Sequence, residues 1–284
     1  MSRRVGTRPL PLGVPRFALA ALLLAALAAS LAAAPRTLVA AHRGGAALWP
    51  ENSLRAFRGA VGLGADALEF DLHLTADGEV VVLHDPTLER TTTGRGAVRD
   101  TRRAALAAVR LRDREGRATD EPVPMFDEVL ALAAPASVEV LPEIKLGPGR
   151  QPYPGIEAKV LALVRARGML ARTTIQAFDA ETIARLRALE PSARTMLLVP
   201  RARVERDGGS AVEAVRWARA AGATDLGMDH RIVDASVVAA ARAAGIRLSV
   251  WTVNEEADLR RVIDLGVDVV MSDRPDLALR LVGR

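Results

Sequence analysis

The sequence predicts an α/β protein folded as a (β/α)8 barrel, the TIM barrel architecture. After residue 35, short β-branched or apolar runs alternate with longer amphipathic runs, and there are eight such pairs. Eight strand-helix units in about 250 residues are typical of this barrel. A doubly wound parallel sheet is the alternative, but the chain lacks the Gly-x-Gly-x-x-Gly loop that this fold often carries.

The alternation gives bounds for each element, in order along the chain. The predicted strands are 38–42, 67–74, 138–144, 173–177, 194–199, 224–228, 247–252 and 267–272. The predicted helices are 53–63, 125–133, 154–167, 180–189, 210–221, 234–244, 255–264 and 275–282. Asn52 or Ser53 can cap the first helix, Asn254 precedes the acidic start of the seventh, and Asp273 and Pro275 open the last.

The region after the second strand departs from simple alternation. Asp77 and Gly78 lie between two apolar runs, which predicts a tight hairpin turn with His84 at the end of the hairpin. Residues 86–124 then read as a small insertion over the mouth of the second strand, with a short Ala-rich helix near 102–110. The barrel domain is therefore expected to span 35–284 and to include this insertion.

Residues 1–34 have the layout of a signal peptide or signal anchor. A basic start precedes the apolar run 17–34, which is long for a cleaved signal and near the lower limit for a membrane span. Arginines on the amino-terminal side predict an extracytoplasmic barrel, either secreted or periplasmic, or anchored to the membrane by residues 17–34. The chain contains no Cys, so disulfides, thiolate chemistry and lipid attachment through Cys are excluded.

The charge distribution argues against a nucleic-acid partner. The net charge of +5 includes four arginines before residue 35, which leaves about +1 for the remainder. Only 3% of residues are aromatic, and Arg is mixed with Glu and Asp along the helices rather than gathered in a basic stripe. We therefore expect no nucleic-acid binding.

Ionisable residues gather where barrel strands end, which is where this fold places its active sites. In chain order the candidates are His42, Arg43, Glu51, Glu69, Asp71, His84, Glu143, Lys145 and Trp251. Glu69 with Asp71, and Glu143 with Lys145, are i, i+2 pairs on strands, so each pair projects to one side. Other polar or aromatic residues are expected to have no such role: His73 is interpreted as solvated, His230 as a loop residue and Trp217 as packing.

Three carboxylates on neighbouring strands predict a metal site. Holding Glu69, Asp71 and Glu143 about 4 Å apart would cost on the order of 4 kcal/mol per pair at an effective dielectric constant near 20. One divalent cation removes this repulsion, and an all-oxygen ligand set suits Ca²⁺ or Mg²⁺ better than Zn²⁺. His42 and His84 could then act as general acid and base, and Arg43 and Lys145 indicate a small anionic substrate.

A set of ordered motifs resembles the glycerophosphodiester phosphodiesterase (GDPD) family. The motifs are His42-Arg43-Gly44, Pro50-Glu51-Asn52-Ser53, Glu69-x-Asp71, Asp77-Gly78, His84-Asp85, Glu143-x-Lys145, Trp251-Thr252-Val253-Asn254 and Ser272-Asp273-Arg274-Pro275. The resemblance covers roughly residues 38–282. Three positions depart from the family pattern, Ser53, Ala177 and Ser272, and none of them removes a candidate catalytic group.

The resemblance implies a phosphodiesterase-type barrel with a role for each candidate. Glu69, Asp71 and Glu143 would bind Ca²⁺ or Mg²⁺, His42 and His84 would be the catalytic acid and base in either order, and Arg43 and Lys145 would bind the phosphate. Trp251 would contact substrate and Glu51 would brace the site. The products would be sn-glycerol 3-phosphate and an alcohol. Two alternatives remain open: a phospholipase of the lysophospholipase D or phosphoinositide type on the same barrel, and a barrel that only binds a ligand.

Overall fold

The computed structural model describes residues 36–284. The predicted leader, 1–34, lies outside these residues. Within 36–284, none of the helices combines the length and the apolar character that crossing a bilayer requires.

Eight parallel strands form the closed barrel that the sequence predicts. They are β1 (Leu38–Ala41), β2 (Ala67–Leu74), β6 (Glu139–Ile144), β7 (Thr174–Ala177), β8 (Arg194–Val199), β9 (Asp225–Asp229), β10 (Arg247–Trp251) and β11 (Val269–Ser272). Each strand pairs with the next barrel strand along the chain, and β1 pairs with both β11 and β2, which closes the ring. The observed bounds of β2 and β8 coincide with the predicted ones.

Ten helices are present in residues 36–284, and most of them surround the barrel and bury an apolar face against the strands. They are α1 (Leu54–Leu63), α2 (Arg103–Leu106), α3 (Phe126–Ala133), α4 (Ile156–Ala166), α5 (Ala180–Leu189), α6 (Arg201–Asp207), α7 (Glu213–Ala220), α8 (Ala235–Ala243), α9 (Glu256–Leu265) and α10 (Pro275–Leu281). Two apolar clusters fill the space between helices and strands, one for each half of the barrel. This packing holds the strand ends, and therefore the site, in fixed positions.

The barrel interior changes character from one end to the other. A middle layer of small and apolar side chains includes Ala67, Leu141 and Met271. Below it, at the amino ends of the strands, Arg194 and Asp225 form an ion pair at 3.1 Å. The carboxyl ends of the same strands carry the acidic residues of the predicted site.

The predicted hairpin and insertion are present after β2. Strand β3 (Val80–Val82) pairs antiparallel with β2, and Gly78 in the turn has a φ of 76°. The insertion contains α2 and a hairpin of β4 (Arg110–Arg112) and β5 (Ala118–Pro122). A small apolar cluster that includes Leu88, Leu106 and Leu111 packs it onto β3. Its helix is shorter than the predicted 102–110.

Two predicted helix caps are wrong, and one helix was missed. Ser53 caps α1 through its side-chain oxygen, as expected, but Asn254 does not cap α9 and Asp273 does not cap α10. Both side chains instead bond to each other, because Asn254 donates its amide to Asp273 at 2.7 Å. Helix α6 was not predicted.

Candidate active site

The site begins with three acidic side chains that face the inside of the barrel. Alternation along β2 places Glu69 and Asp71 on the same side as Ala67, and Asp71 lies opposite Glu143 in the register between β2 and β6. One oxygen of each carboxylate lies within 4.8 Å of the others. Glu69, Asp71 and Glu143 are 2%, 1% and 6% exposed, so water cannot screen their mutual repulsion.

Two cations partly balance these carboxylates. The Lys145 ammonium lies 3.2 Å from Asp71 and 2.9 Å from Glu143, and the Arg43 Nε lies 3.7 Å from Asp71. Burial alone would raise the pKa of Asp71, but Lys145 and Arg43 outweigh it and lower that pKa. Burial raises the pKa of Glu69 to about 7, with a further contribution from the neighbouring carboxylates. The cluster therefore has more negative charge than its own cations neutralise.

His42 lies at the end of β1 and is held by a carboxylate. Its Nδ1 lies 2.6 Å from Asp273 Oδ1, and its Nε2 is directed to the acidic cluster, 3.9 Å from Glu69 Oε2. Asn254 fixes Asp273 by donating to its carboxylate and accepting from its backbone N–H at 2.9 Å. Burial lowers the pKa of His42, but Glu69 and Asp273 raise it more, so the net pKa lies above the ordinary value.

The backbone after His42 is bent sharply so that its neighbour can reach the same pocket. Arg43 has a φ of 51° and Gly44 a φ of 80°, both in the left-handed region. A Cβ atom on Gly44 would lie 2.7 Å from the Cβ of Ala56, so this position requires glycine. The bend also lets the Arg43 backbone N–H donate to Glu69 at 2.9 Å.

His84 enters the pocket from the end of the β2–β3 hairpin and has a carboxylate partner of its own. Its Nδ1 lies 2.6 Å from Asp85 Oδ1. Arg90 of the insertion donates to Asp85 at 2.6 Å and to Glu51 at 2.9 Å, and Glu51 also accepts from Arg43 at 3.1 Å. Glu51 therefore connects Arg43 with Arg90 and does not join the acidic cluster.

The interpretation of His73 as a solvated residue is wrong. Its ring is buried, with Nδ1 2.9 Å from the Tyr153 hydroxyl and Nε2 3.1 Å from the backbone oxygen of His84. Burial lowers the pKa of His73 to about 4, so the ring is neutral. His73 thus fixes the backbone that carries His84.

The structure also adds polar contacts to the site, from Asn52, which the sequence analysis considered only as a helix cap and in a family motif, and from Gln176. Asn52 donates to Asp71 at 2.8 Å, and Gln176 donates to Glu69 at 2.8 Å. Strand alternation could have identified Gln176, since it lies opposite Glu143 on the neighbouring strand β7. The contacts of Arg90 and Asp273 depend on long-range folding, and no local signal reveals them.

The strand ends enclose one inner pocket of about 140 Å³. Eight of the nine predicted site residues line it: His42, Arg43, Glu69, Asp71, His84, Glu143, Lys145 and Trp251. The ninth, Glu51, lies behind Arg43. On the apolar side, Trp251 packs edge-to-face against Phe178 with ring centroids 5.5 Å apart, and its buried Nε1 has no hydrogen-bond partner within residues 36–284. The pocket thus offers acids, bases, cations and one apolar wall.

Comparison with known proteins assigns the chain to a family. The family model described as "Glycerophosphoryl diester phosphodiesterase family" matches residues 42–277. The chain belongs to this family. The predicted recognition is thereby confirmed, and the protein is an enzyme of the phosphoric diester hydrolase type, as expected.

Individual relatives agree with the family assignment over nearly their whole length. A glycerophosphodiester phosphodiesterase of Caldanaerobacter subterraneus subsp. tengcongensis is 32% identical over 248 residues, which cover 87% of this chain and 98% of that protein. One from Bacillus subtilis is 30% identical over 268 residues, or 89% of each chain. The crystal structure of a candidate glycerophosphoryl diester phosphodiesterase from Agrobacterium tumefaciens is 31% identical, with a TM-score of 0.80 and coverage of 87% and 97%.

The acidic cluster is compatible with a divalent metal in this family's barrel. Glu69, Asp71 and Glu143 supply only oxygen donors, which is the ligand chemistry of hard cations. The three carboxylates are buried and face only two cationic side chains, Lys145 and Arg43. The residues therefore fit such an ion.

Proposed function

We propose that this enzyme hydrolyses glycerophosphodiesters to sn-glycerol 3-phosphate and an alcohol, using one bound Ca²⁺ or Mg²⁺ and a pair of histidines. The observation that carries the proposal is the convergence of three buried carboxylates, two cationic side chains and two imidazoles on one pocket. Membership of the phosphodiesterase family and relatives named for this reaction support it.

Glu69, Asp71 and Glu143 would hold the cation. When bound, the cation would stabilise the negative charge that develops on a nonbridging phosphate oxygen. Arg43 and Lys145 lie beside the same carboxylates, 3.7 Å and 3.2 Å from Asp71, so they are placed to bind further phosphate oxygens. These contacts orient the phosphorus between the two histidines.

The two histidines have matching arrangements. In each, Nδ1 faces a carboxylate at 2.6 Å, Asp273 for His42 and Asp85 for His84, which leaves Nε2 as the nitrogen available to substrate. One imidazole accepts the proton of the glycerol hydroxyl that attacks phosphorus, and the other donates a proton to the oxygen of the departing alcohol. Water then opens the resulting cyclic phosphate while the two rings exchange roles, which gives sn-glycerol 3-phosphate. The carboxylates stabilise the charged form of each ring during this transfer.

Trp251 and Phe178 form the wall that suits the glycerol carbons. Both rings line the inner pocket, whereas the buried indole N–H lies on the side of Gly227. The carbon chain of the glycerol can lie against the two rings. This arrangement would favour a glycerol ester over a bulkier group at the same place.

The test is release of sn-glycerol 3-phosphate from glycerophosphocholine with and without a chelator. We expect chelation to abolish activity, added Ca²⁺ or Mg²⁺ to restore it, and His42→Ala or His84→Ala to lower kcat by about 10²-fold or more. His230→Ala is the matched control, because His230 lies outside the pocket beside Asp258 and Arg261.

Other outcomes would point to the alternatives. Turnover that is unaffected by chelation would contradict the metal-dependent mechanism. Head-group release from lysophospholipids or phosphoinositides, with none from water-soluble diesters, would favour a phospholipase. Ligand binding without turnover of any diester would favour a binding protein.

A further inference from the structure

A second, larger cleft opens directly from the inner pocket. Its volume is about 680 Å³, compared with about 140 Å³ for the inner pocket, and the two share Glu143, Lys145 and Phe178 as lining residues. Pro86, two residues after His84, lines its edge. Because the inner pocket is too small for a whole diester with its metal, the part of the substrate beyond the phosphate must extend into this outer cleft.

One wall of the outer cleft is a loop that presents Arg150. The loop follows β6, and Gly147 closes it by donating to Gln151 O at 2.8 Å. A Cβ atom on Gly147 would lie 3.1 Å from the Tyr153 ring, so the loop packs against the tyrosine that holds His73. Arg150 has a φ of 59°, an unfavourable backbone conformation for a residue with a side chain. Its guanidinium forms no ion pair with residues 36–284.

The opposite wall is α6, the helix that the sequence did not predict. It presents Arg203 and Arg206 to the cleft. Arg203 stacks on the Trp217 ring at 4.6 Å, and this contact holds its guanidinium in place. Arg203 is therefore ordered before any ligand arrives, and less entropy is lost on binding.

The cleft has fewer available carboxylates than arginines. Asp207 forms ion pairs with both Arg206, at 2.8 Å, and Arg203, at 3.8 Å. Asp179 is occupied in capping α5, where it accepts from Thr182. Arg203 and Arg206 thus share one carboxylate, and Arg150 has none among residues 36–284. Phe178 is the only aromatic side chain among the lining residues, so the cleft lacks the aromatic cage that binds a quaternary ammonium group.

We infer that the outer cleft is the subsite for the alcohol and that Arg150 and Arg203, assisted by Arg206, select an alcohol that carries its own negative charge. This inference rests on the proposed function. It places the glycerophosphate in the inner pocket, against Trp251, and the charged end of the alcohol between the loop after β6 and helix α6. A second phosphate on the alcohol is the group that guanidiniums lining one cleft bind best.

The test compares three glycerophosphodiesters that all release sn-glycerol 3-phosphate. Their alcohols are choline, which is cationic, glycerol, which is neutral, and glycerol phosphate, which is anionic. For the unaltered enzyme with Ca²⁺ or Mg²⁺ we expect kcat/KM to be about tenfold higher for the anionic diester than for the choline diester, and the difference to shrink as salt is raised.

The variants are Arg150→Gln, Arg203→Gln and the double variant, with Arg201→Gln as control. Arg201 lies on the same helix but pairs with Glu205 and does not line the cleft. Each single change should lower kcat/KM for the anionic diester about three- to fivefold through KM, and should lower it less for the neutral diester, so that the preference for the anionic diester shrinks. Arg201→Gln should retain the full preference, and thermal melts should confirm that all variants fold.

Equal kcat/KM values for the three diesters in the unaltered enzyme would overturn the inference while leaving the proposed function intact. The same holds if Arg150→Gln and Arg203→Gln affect all three substrates alike. Hydrolysis of none of them with either metal would overturn the proposed function itself, and the inference with it.

Discussion

At the scale of single residues, the site depends on partners that the catalytic groups acquire only on folding. His42 and Asp273 are separated by 231 positions, yet their side chains lie 2.6 Å apart. A carboxylate on Nδ1 fixes the tautomer and the orientation of an imidazole, which is what proton transfer at Nε2 requires. His84 obtains the same support from its neighbour Asp85.

Asp273→Asn tests this support directly. The amide is similar in shape and can still bond Asn254, but it cannot stabilise the charged form of His42. We expect kcat to fall about 10²- to 10⁴-fold with little change in KM. Steady-state kinetics on glycerophosphocholine measure this effect, and Asp264→Asn, an exposed change on α9, is the control. Unchanged kcat in Asp273→Asn would show that His42 acts without the carboxylate.

The same residues show how much of the site the sequence could predict. The histidines, carboxylates and cations have chemistry of their own, so their positions at strand ends were sufficient to identify them. Asp273 and Asn254 were predicted as helix caps because Asp and Asn before a helix usually have that role. Only the closed barrel, which brings β1 beside β11, makes the contact with His42 possible.

At the scale of elements, the strands were predictable and the additions between them less so. Strand bounds followed from continuous β-branched and apolar runs, which a fully buried parallel strand requires. Helix α6 has one buried residue, Val204, among charged neighbours, so it offers no apolar stripe to detect. Helix α6 also presents Arg203 to the outer cleft. The helix that was hardest to predict therefore carries part of the proposed specificity for an anionic alcohol.

Two glycines of α1 provide a matched prediction at this scale. A Cβ atom on Gly59 would lie 2.4 Å from the Trp49 ring, whereas one on Gly62 would meet nothing within 4 Å. Gly62→Ala should therefore stabilise the protein by about 0.5–1 kcal/mol through helix propensity. Gly59→Ala should destabilise it by about 1–3 kcal/mol because Trp49 must move. Urea denaturation measures both free energies of unfolding, and changes of equal sign would contradict this account of the packing.

At the scale of the whole molecule, the barrel has its repulsive charges at one end and paired charges at the other. Arg194 and Asp225 neutralise each other at the amino ends of the strands, whereas Glu69, Asp71 and Glu143 have too few cations at the carboxyl ends. The carboxyl end of the barrel is therefore less stable than it would be with a cation bound between these carboxylates. If the proposed cation binds there, its binding would be coupled to the stability of the entire domain.

Thermal unfolding should report that coupling. At a metal concentration one hundred times its dissociation constant, Ca²⁺ or Mg²⁺ should add about 2.7 kcal/mol of stability, or a rise in Tm of roughly 5–10 °C. Glu143→Gln should reduce the rise sharply, whereas Glu181→Gln, an exposed change on α5, should not. Calorimetry with and without a chelator makes the measurement. A Tm independent of both metals would contradict binding by these carboxylates.

The predicted leader bears on the cellular location of the enzyme. The sequence of residues 1–34 predicts export of the barrel, either free or anchored by residues 17–34. All of the predicted site residues lie at or after His42, and residues 36–284 contain the complete barrel and its core. Because the site does not depend on the leader, a chain that starts at residue 36 should keep the kcat of the full chain. Without the leader, that chain should remain inside a bacterial host. Cell fractionation and the mass of the mature amino terminus test the predicted export of the full chain. Cleavage after Ala34 or retention in the membrane would agree with export. Full-length protein confined to the cytoplasm would contradict it.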